Sequence, residues 1–160
     1  MAKTHILYKI FYKNGLKDEC VYVGRTNQPL QNRLRGHFFK KPMHREINIF
    51  LVSKIEYAEF ITEADMFLYE IYYINLIKPV LNKDVKSREE LTVHLPKVTF
   101  SEYTPPLLEK WKREITEIDR REKERAEKEQ QDFQRKHELR QLWHEGKITE
   151  DEYYDRVEKG

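Results

Sequence analysis

Cysteine is almost absent from this chain of 160 residues: Cys20 stands alone, so no intrachain disulfide can form and a zinc site built on several thiolates is excluded. Long apolar runs are missing as well. No stretch approaches the roughly 18 consecutive apolar residues of a membrane-spanning helix, and the opening MAKTHILYKI lacks the basic, apolar and small-residue order of a secretory signal. The expectation is a soluble protein of a reducing cytoplasm that does not enter a membrane. Charge is what the chain has in quantity. Asp, Glu, Lys and Arg make up 36% of it, mean hydropathy is −0.87, and the hydrophobic residues crowd into the first half. Residues 1–83 carry 13 Lys and Arg against 8 Asp and Glu, an excess of five, whereas residues 84–160 carry 17 against 20, a deficit of three. A basic N-terminal half suits a polyanionic partner.

The order of elements follows from punctuation and periodicity. Ile6 to Tyr12 is β-branched and aromatic, Asn14-Gly15 is a hairpin signal, and Cys20 to Val23 is a second β-prone run. Pro29 is placed to open a helix to about Lys40, with Leu30, Leu34 and Phe38 at helical spacing. His44 to Ser53 reads as a second helix and Ile55 to Phe60 as a third strand. Thr62 with Asp65 gives a capping signal for a helix over Glu63 to Ile77, stopped by Lys78-Pro79. The fold class expected is α+β, a three-stranded antiparallel sheet flanked by helices in the order ββααβα. It occupies residues 1–85, followed by a linker or edge extension over 86–106. Residues 107–160 read as a long charged helix, with Leu108, Trp111, Ile115 and Ile118 as one apolar stripe. Gly146 then caps it and Thr149 with Glu152 caps a last helix, closing a helical hairpin through Leu139, Leu142, Trp143, Ile148, Tyr153 and Val157.

Chemistry concentrates in two places. Tyr22 to His37 puts a tyrosine at a strand end and Arg33 and His37 four apart, on one helix face. Glu70 lies among Phe67, Leu68, Tyr69, Ile71, Tyr72 and Tyr73 on a helix apolar on most sides, where a carboxylate needs a partner or a metal. Arg25, Arg35, Lys40, Lys41, Arg45 and His44 cluster around the first stretch, and backbone contacts of that kind give affinity without sequence information.

Taken as an ordered set, Tyr8 after Ile6-Leu7, Tyr22-Val23-Gly24, Arg33, His37, Glu70 and the closure from Pro79 to Asn82 resemble the GIY-YIG nuclease domain over residues 5–83. Ile6 departs from the family by occupying the place of the first glycine. The resemblance implies hydrolysis of nucleic-acid phosphodiesters, DNA in preference to RNA, with one Mg²⁺ or Mn²⁺ per site. It implies that Glu70 is the single protein ligand of that ion, that Arg33 stabilises charge on the phosphate, and that Tyr22 orients or deprotonates the attacking water. Tyr8 then positions, and His37 relays a proton or bonds the scissile phosphate. Asn82 orients a neighbour or touches phosphate. An unperturbed phenol, with a pKa of about 10, is a poor base at neutral pH, so Tyr22 needs a neighbouring cation for that role.

Residues 139–160 resemble a short helical C-terminal module, which implies protein contact or a homodimer through residues 107–160. The competing expectation is a non-catalytic module that keeps the fold to bind nucleic acid or a protein, with the helical tail mediating assembly.

Overall fold

The computed structural model describes residues 4–40, 44–103 and 105–158. Among them are four strands and four α-helices: β1 (His5–Asn14), β2 (Lys17–Thr26), α1 (Leu30–Phe38), β3 (Val52–Phe60), α2 (Glu63–Ile77), β4 (Ser101–Glu102), α3 (Pro105–His144) and α4 (Glu150–Glu158). The strands form one antiparallel sheet in the order β2-β1-β3-β4. The fold is α+β as the pattern predicts, with four strands in place of three.

β1 has both edges paired and helices over both its faces, so Ile6 to Ile10 are buried without interruption. Its even-numbered residues Ile6, Tyr8 and Ile10 pack with Leu30, Leu34 and Phe38 of α1 and with Leu108, Trp111 and Ile115 of α3. Its Leu7, on the opposite face, packs with Val23 and with Met66, Tyr73 and Ile74 of α2. Gly15, at the hairpin tip, has φ +61°, a left-handed conformation that costs glycine nothing. One irregularity redirects β2: Ile10 pairs with Tyr22 but Phe11 with Cys20, so Val21 is an extra residue. A bulge of this kind re-aims the side chains on either side of it.

Several expectations are corrected. No α-helix forms over His44 to Ser53; the stretch contains a 3₁₀ turn, Ile49–Leu51, capped by the Asn48 side chain, which accepts from the Phe50 amide. Ile47 and Ile49 are both buried at a spacing of two, and Val52 and Ser53 are drawn into β3, where Val52 pairs with Tyr12. Tertiary pairing overrides the local preference there. The segment from 84 to 100 has no regular structure, but it is tied down: Lys78 Nζ donates to the carbonyls of Arg88 and Glu89, Asn75 Nδ2 to that of Val85, and Tyr69 Oη to that of Pro96. It also delivers Phe100 onto Lys9, whose ammonium lies 3.6 Å from the Phe100 ring centroid and 3.9 Å from that of Tyr73. Burial lowers the Lys9 pKa, and the two ring faces offset part of the desolvation. β4, at the end of that segment, adds the fourth strand by pairing with Glu56 and Tyr57.

The chain forms two compact units, residues 1–115 and 116–160, so the first turns of α3 belong to the first unit. Trp111 is 1% exposed and sits among Phe38, Phe39 and Tyr103. The boundary thus falls within the long helix, past the expected one near residue 107, because the apolar stripe stops at Ile115. Ile118 is already 36% exposed. In the second unit Leu139, Ile148 and Tyr153 are buried together with Leu142, Trp143 and Val157 against them. Gly146 has φ +70°, and the Glu152 carboxylate accepts from the Thr149 amide while the Thr149 hydroxyl accepts from the Glu152 amide. The expected hairpin is present.

Replacing Trp111 by Ala should cost about 3–5 kcal/mol of stability in urea unfolding, the range for removing a buried aromatic. Phe133→Ala, at a site 70% exposed, should change it by less than about 0.5 kcal/mol. Equal losses would contradict this assignment of the core.

Candidate functional site

β2 is an edge strand, and its outer side is where the polar residues collect. The bulge at Val21 leaves Tyr22 on the same face as Tyr8, and Val23 and Arg25 on the face of α2. Tyr8 pairs with Gly24 across the ladder. A Cβ on Gly24 would stand 2.7 Å from Tyr8 Oη and 2.6 Å from Tyr22 Cε1. Only glycine lets the two rings sit that close to the strand.

α1 brings Arg33 and His37 to these rings. The Tyr8 hydroxyl lies 2.7 Å from His37 Nε2, and Arg33 Nε donates to the same hydroxyl at 3.2 Å. The ring centroids of Tyr22 and His37 are 5.3 Å apart, edge to face. Burial, reinforced by the Arg33 and Lys40 cations, pushes the His37 pKa down to about 4. Burial likewise raises that of Tyr8, with Tyr22 adding to it and Arg33 opposing. The consistent proton arrangement has neutral His37 accepting at Nε2 from the Tyr8 hydroxyl while that oxygen accepts from Arg33. Arg33 stays cationic, as its pKa is raised by Tyr8 and Tyr22 against the effect of burial.

α2 contributes Glu70 from the other side. Glu70 and Arg25 form an ion pair of 2.6 Å between Nε and Oε2, with the two side chains 18% and 32% exposed. The Arg25 guanidinium lies over the Phe67 ring, Cζ 3.4 Å from the centroid. A cavity of about 380 Å³ is lined by Tyr22, Arg25, Thr26, Asn27, Gln28, Arg33 and Glu70. Tyr22 and Glu70 also line a second one of about 270 Å³, together with Glu46, Asn82 and Asp84. The two sequence segments carrying the candidate residues therefore meet, more than thirty positions apart in the chain.

Other expected site residues have different surroundings. Asn82 Oδ1 accepts from the Val23 amide at 2.9 Å and its Nδ2 donates to the Val23 carbonyl at 2.8 Å, while the Leu81 amide donates to the Val21 carbonyl. Its amide thus holds the backbone at the open edge of β2, where it substitutes for a further strand. Arg25, expected on nucleic acid, is the partner of Glu70. Arg35 lies over the Phe39 ring at 4.1 Å and reaches Glu114 at 3.5 Å. Arg45 donates to the Lys40 carbonyl, and Lys40 and His44 are exposed. Lys41 lies outside the described residues. The residue missed from the sequence is Asn27, which bonds His5 and Glu63 and so ties the end of β2 to α2; a lone Asn after a Thr gave no signal.

Whether this set suits a divalent ion rests on Glu70. Among the described residues no three His, Cys, Asp or Glu side chains gather into a metal-binding group, so an ion would take a single carboxylate and fill its remaining positions with water and phosphate oxygens. Mg²⁺ favours that kind of sparse, hard-oxygen coordination. Glu70 opens on a polar cavity with room for those oxygens, and it fits. Among the described residues no helix is long and apolar enough to cross a membrane. No family model, curated protein or solved structure matches the chain.

The neutral state of His37 gives a stability signature. The unfolded histidine takes its proton near pH 6.5 and the folded one only near 4, so between these values the unfolded state binds more protons. Stability is then full above about pH 6.5 and falls as pH drops toward 4. Thermal melts between pH 6.5 and 5 should show that fall in the wild type and a flatter profile in His37→Gln; parallel profiles would contradict it.

Proposed function

We propose that residues 1–115 form a metal-dependent endonuclease of the GIY-YIG type that hydrolyses phosphodiester bonds in nucleic acid, DNA in preference to RNA, in the cytoplasm. The observation that carries this reading is the convergence of Tyr22, Arg33 and Glu70 on one polar cavity. Arg33 spends its Nε–H on Tyr8, which fixes the plane of the guanidinium. The remaining donors of that planar fork match phosphate oxygens and stay charged through the reaction. Tyr8 and His37 orient Arg33, since both are committed to each other and Tyr8 is fully buried. Tyr22 faces the cavity and directs the attacking water. Glu70 would hold one Mg²⁺ or Mn²⁺, which when bound supplies charge neutralisation at the phosphate. Residues 116–160, of which 139–160 resemble a short helical C-terminal module, are the part suited to assembly with a second copy or another protein. Cutting both strands at once with one such site per chain requires a pair of copies.

The ion pair of Arg25 with Glu70 favours a second reading, because it satisfies the carboxylate without a metal. In that reading the unit binds nucleic acid or protein and cuts nothing, and the helical tail mediates assembly.

A plasmid-nicking assay with Mg²⁺ or Mn²⁺ separates the two. The wild type should relax supercoiled DNA, and Arg33→Ala and Glu70→Ala should each slow it by about a hundredfold or more, the scale of losing one transition-state electrostatic contact. A wild type that cuts neither DNA nor RNA with either ion, or variants as active as wild type, would leave the binding module as the account.

A further inference from the structure

The charge balance around Glu70 carries a consequence for how the cleft loads. Arg25 Nε is 2.6 Å from Glu70 Oε2, and no second cation in the described residues bonds that carboxylate. The guanidinium is supported by the Phe67 ring, so the pair is held between an aromatic face and the polar cavity. Arg25 itself lines that cavity beside Arg33, and at 32% exposure its side chain is open to a ligand entering there. A divalent ion approaching Glu70 in the free protein meets a guanidinium already on one oxygen of the carboxylate and is repelled by it. A phosphodiester entering the cavity offers the same guanidinium a bidentate anion.

We propose that Arg25 is a positioning residue that latches Glu70 until a nucleic-acid backbone draws the guanidinium onto phosphate, so that a divalent cation loads on Glu70 together with nucleic acid and only poorly without it. This rests on the endonuclease reading. Thermodynamic reciprocity then requires metal and nucleic acid to tighten each other's binding, with Arg25 as the coupling element. The device keeps an isolated carboxylate neutralised and aimed at the cavity when the cleft is empty. It also explains why a residue of the basic cluster sits on the α2 face of β2, opposite Leu7, while Tyr22 sits on the other.

The test is a titration of the full chain with Mn²⁺, following the electron paramagnetic resonance signal of the free ion. Without nucleic acid, Arg25→Gln should bind Mn²⁺ about tenfold more tightly than wild type, since one positive charge next to the ion is gone. Arg25→Lys, which keeps the charge, should stay near wild type, and adding Glu70→Gln to Arg25→Gln should remove the gain. A short DNA duplex should tighten Mn²⁺ binding to wild type by a clearly larger factor than to Arg25→Gln, where phosphate oxygens still serve as ligands but no latch is left to release. If wild type nicks plasmid but Arg25→Gln binds Mn²⁺ no more tightly, or wild type binds it equally well with and without DNA, the latch is wrong and the endonuclease stands. If no variant binds Mn²⁺ and no plasmid is cut, both fall.

Discussion

Tyr8 and Gly24 face each other across the β1–β2 ladder, and the missing Cβ at Gly24 is what lets the Tyr8 hydroxyl and the Tyr22 ring lie against the strand. From that close approach the remaining geometry follows. The hydroxyl becomes the meeting point of Arg33 and His37, which fixes the rotation of α1 about its axis. The bulge at Val21 sends Tyr22 toward α1 and Arg25 toward α2, so one strand serves both walls of the cavity. Asn82 closes the outer edge of that strand through Val23, the residue next to Gly24.

The site also shows how burial and charge divide the labour among similar groups. Two tyrosines lie with ring centroids 6.0 Å apart, yet Tyr8 is sealed with a raised pKa while Tyr22 opens on the cavity. Two arginines reach the same cavity. Arg33 is tied to a phenol, a neutral partner that leaves its charge available, and Arg25 to a carboxylate that cancels its own. A phosphate would therefore meet Arg33 first as a net cation, and Arg25 only in exchange for Glu70.

Much of the first unit was legible in the sequence because its signals are local. The Asn14-Gly15 turn, Pro29 before α1 and the Thr62 cap of α2 each act within a few residues, and α2 runs over Glu63–Ile77 as the pattern predicts. What was not legible depends on pairing at a distance. The short strand β4 exists only because β3 leaves an edge for it, and residues 44–53 fail to form a helix because Tyr12 holds the segment at two points, accepting from the Asn48 amide and pairing with Val52. The membership of Trp111 in the core could not be seen either, since its stripe looks like that of any amphipathic helix. Among site residues, Arg33, His37 and Glu70 were visible from spacing and context. The partner of Glu70 was not, because Arg25 reads as one cation among six basic residues until the strand face it occupies is known.

The proposed role of Glu70 as ligand of a divalent ion, in the cavity lined by Tyr22 and Arg33, decides between cleavage and binding alone. The most direct measurement is anomalous diffraction from crystals of the full chain soaked in Mn²⁺ with a short DNA oligonucleotide. The account predicts a single Mn²⁺ peak at coordination distance, about 2.1–2.2 Å, from a Glu70 carboxylate oxygen, with Arg25 turned away from it. A DNA-bound structure with Glu70 still paired to Arg25 and no manganese beside it would contradict the account.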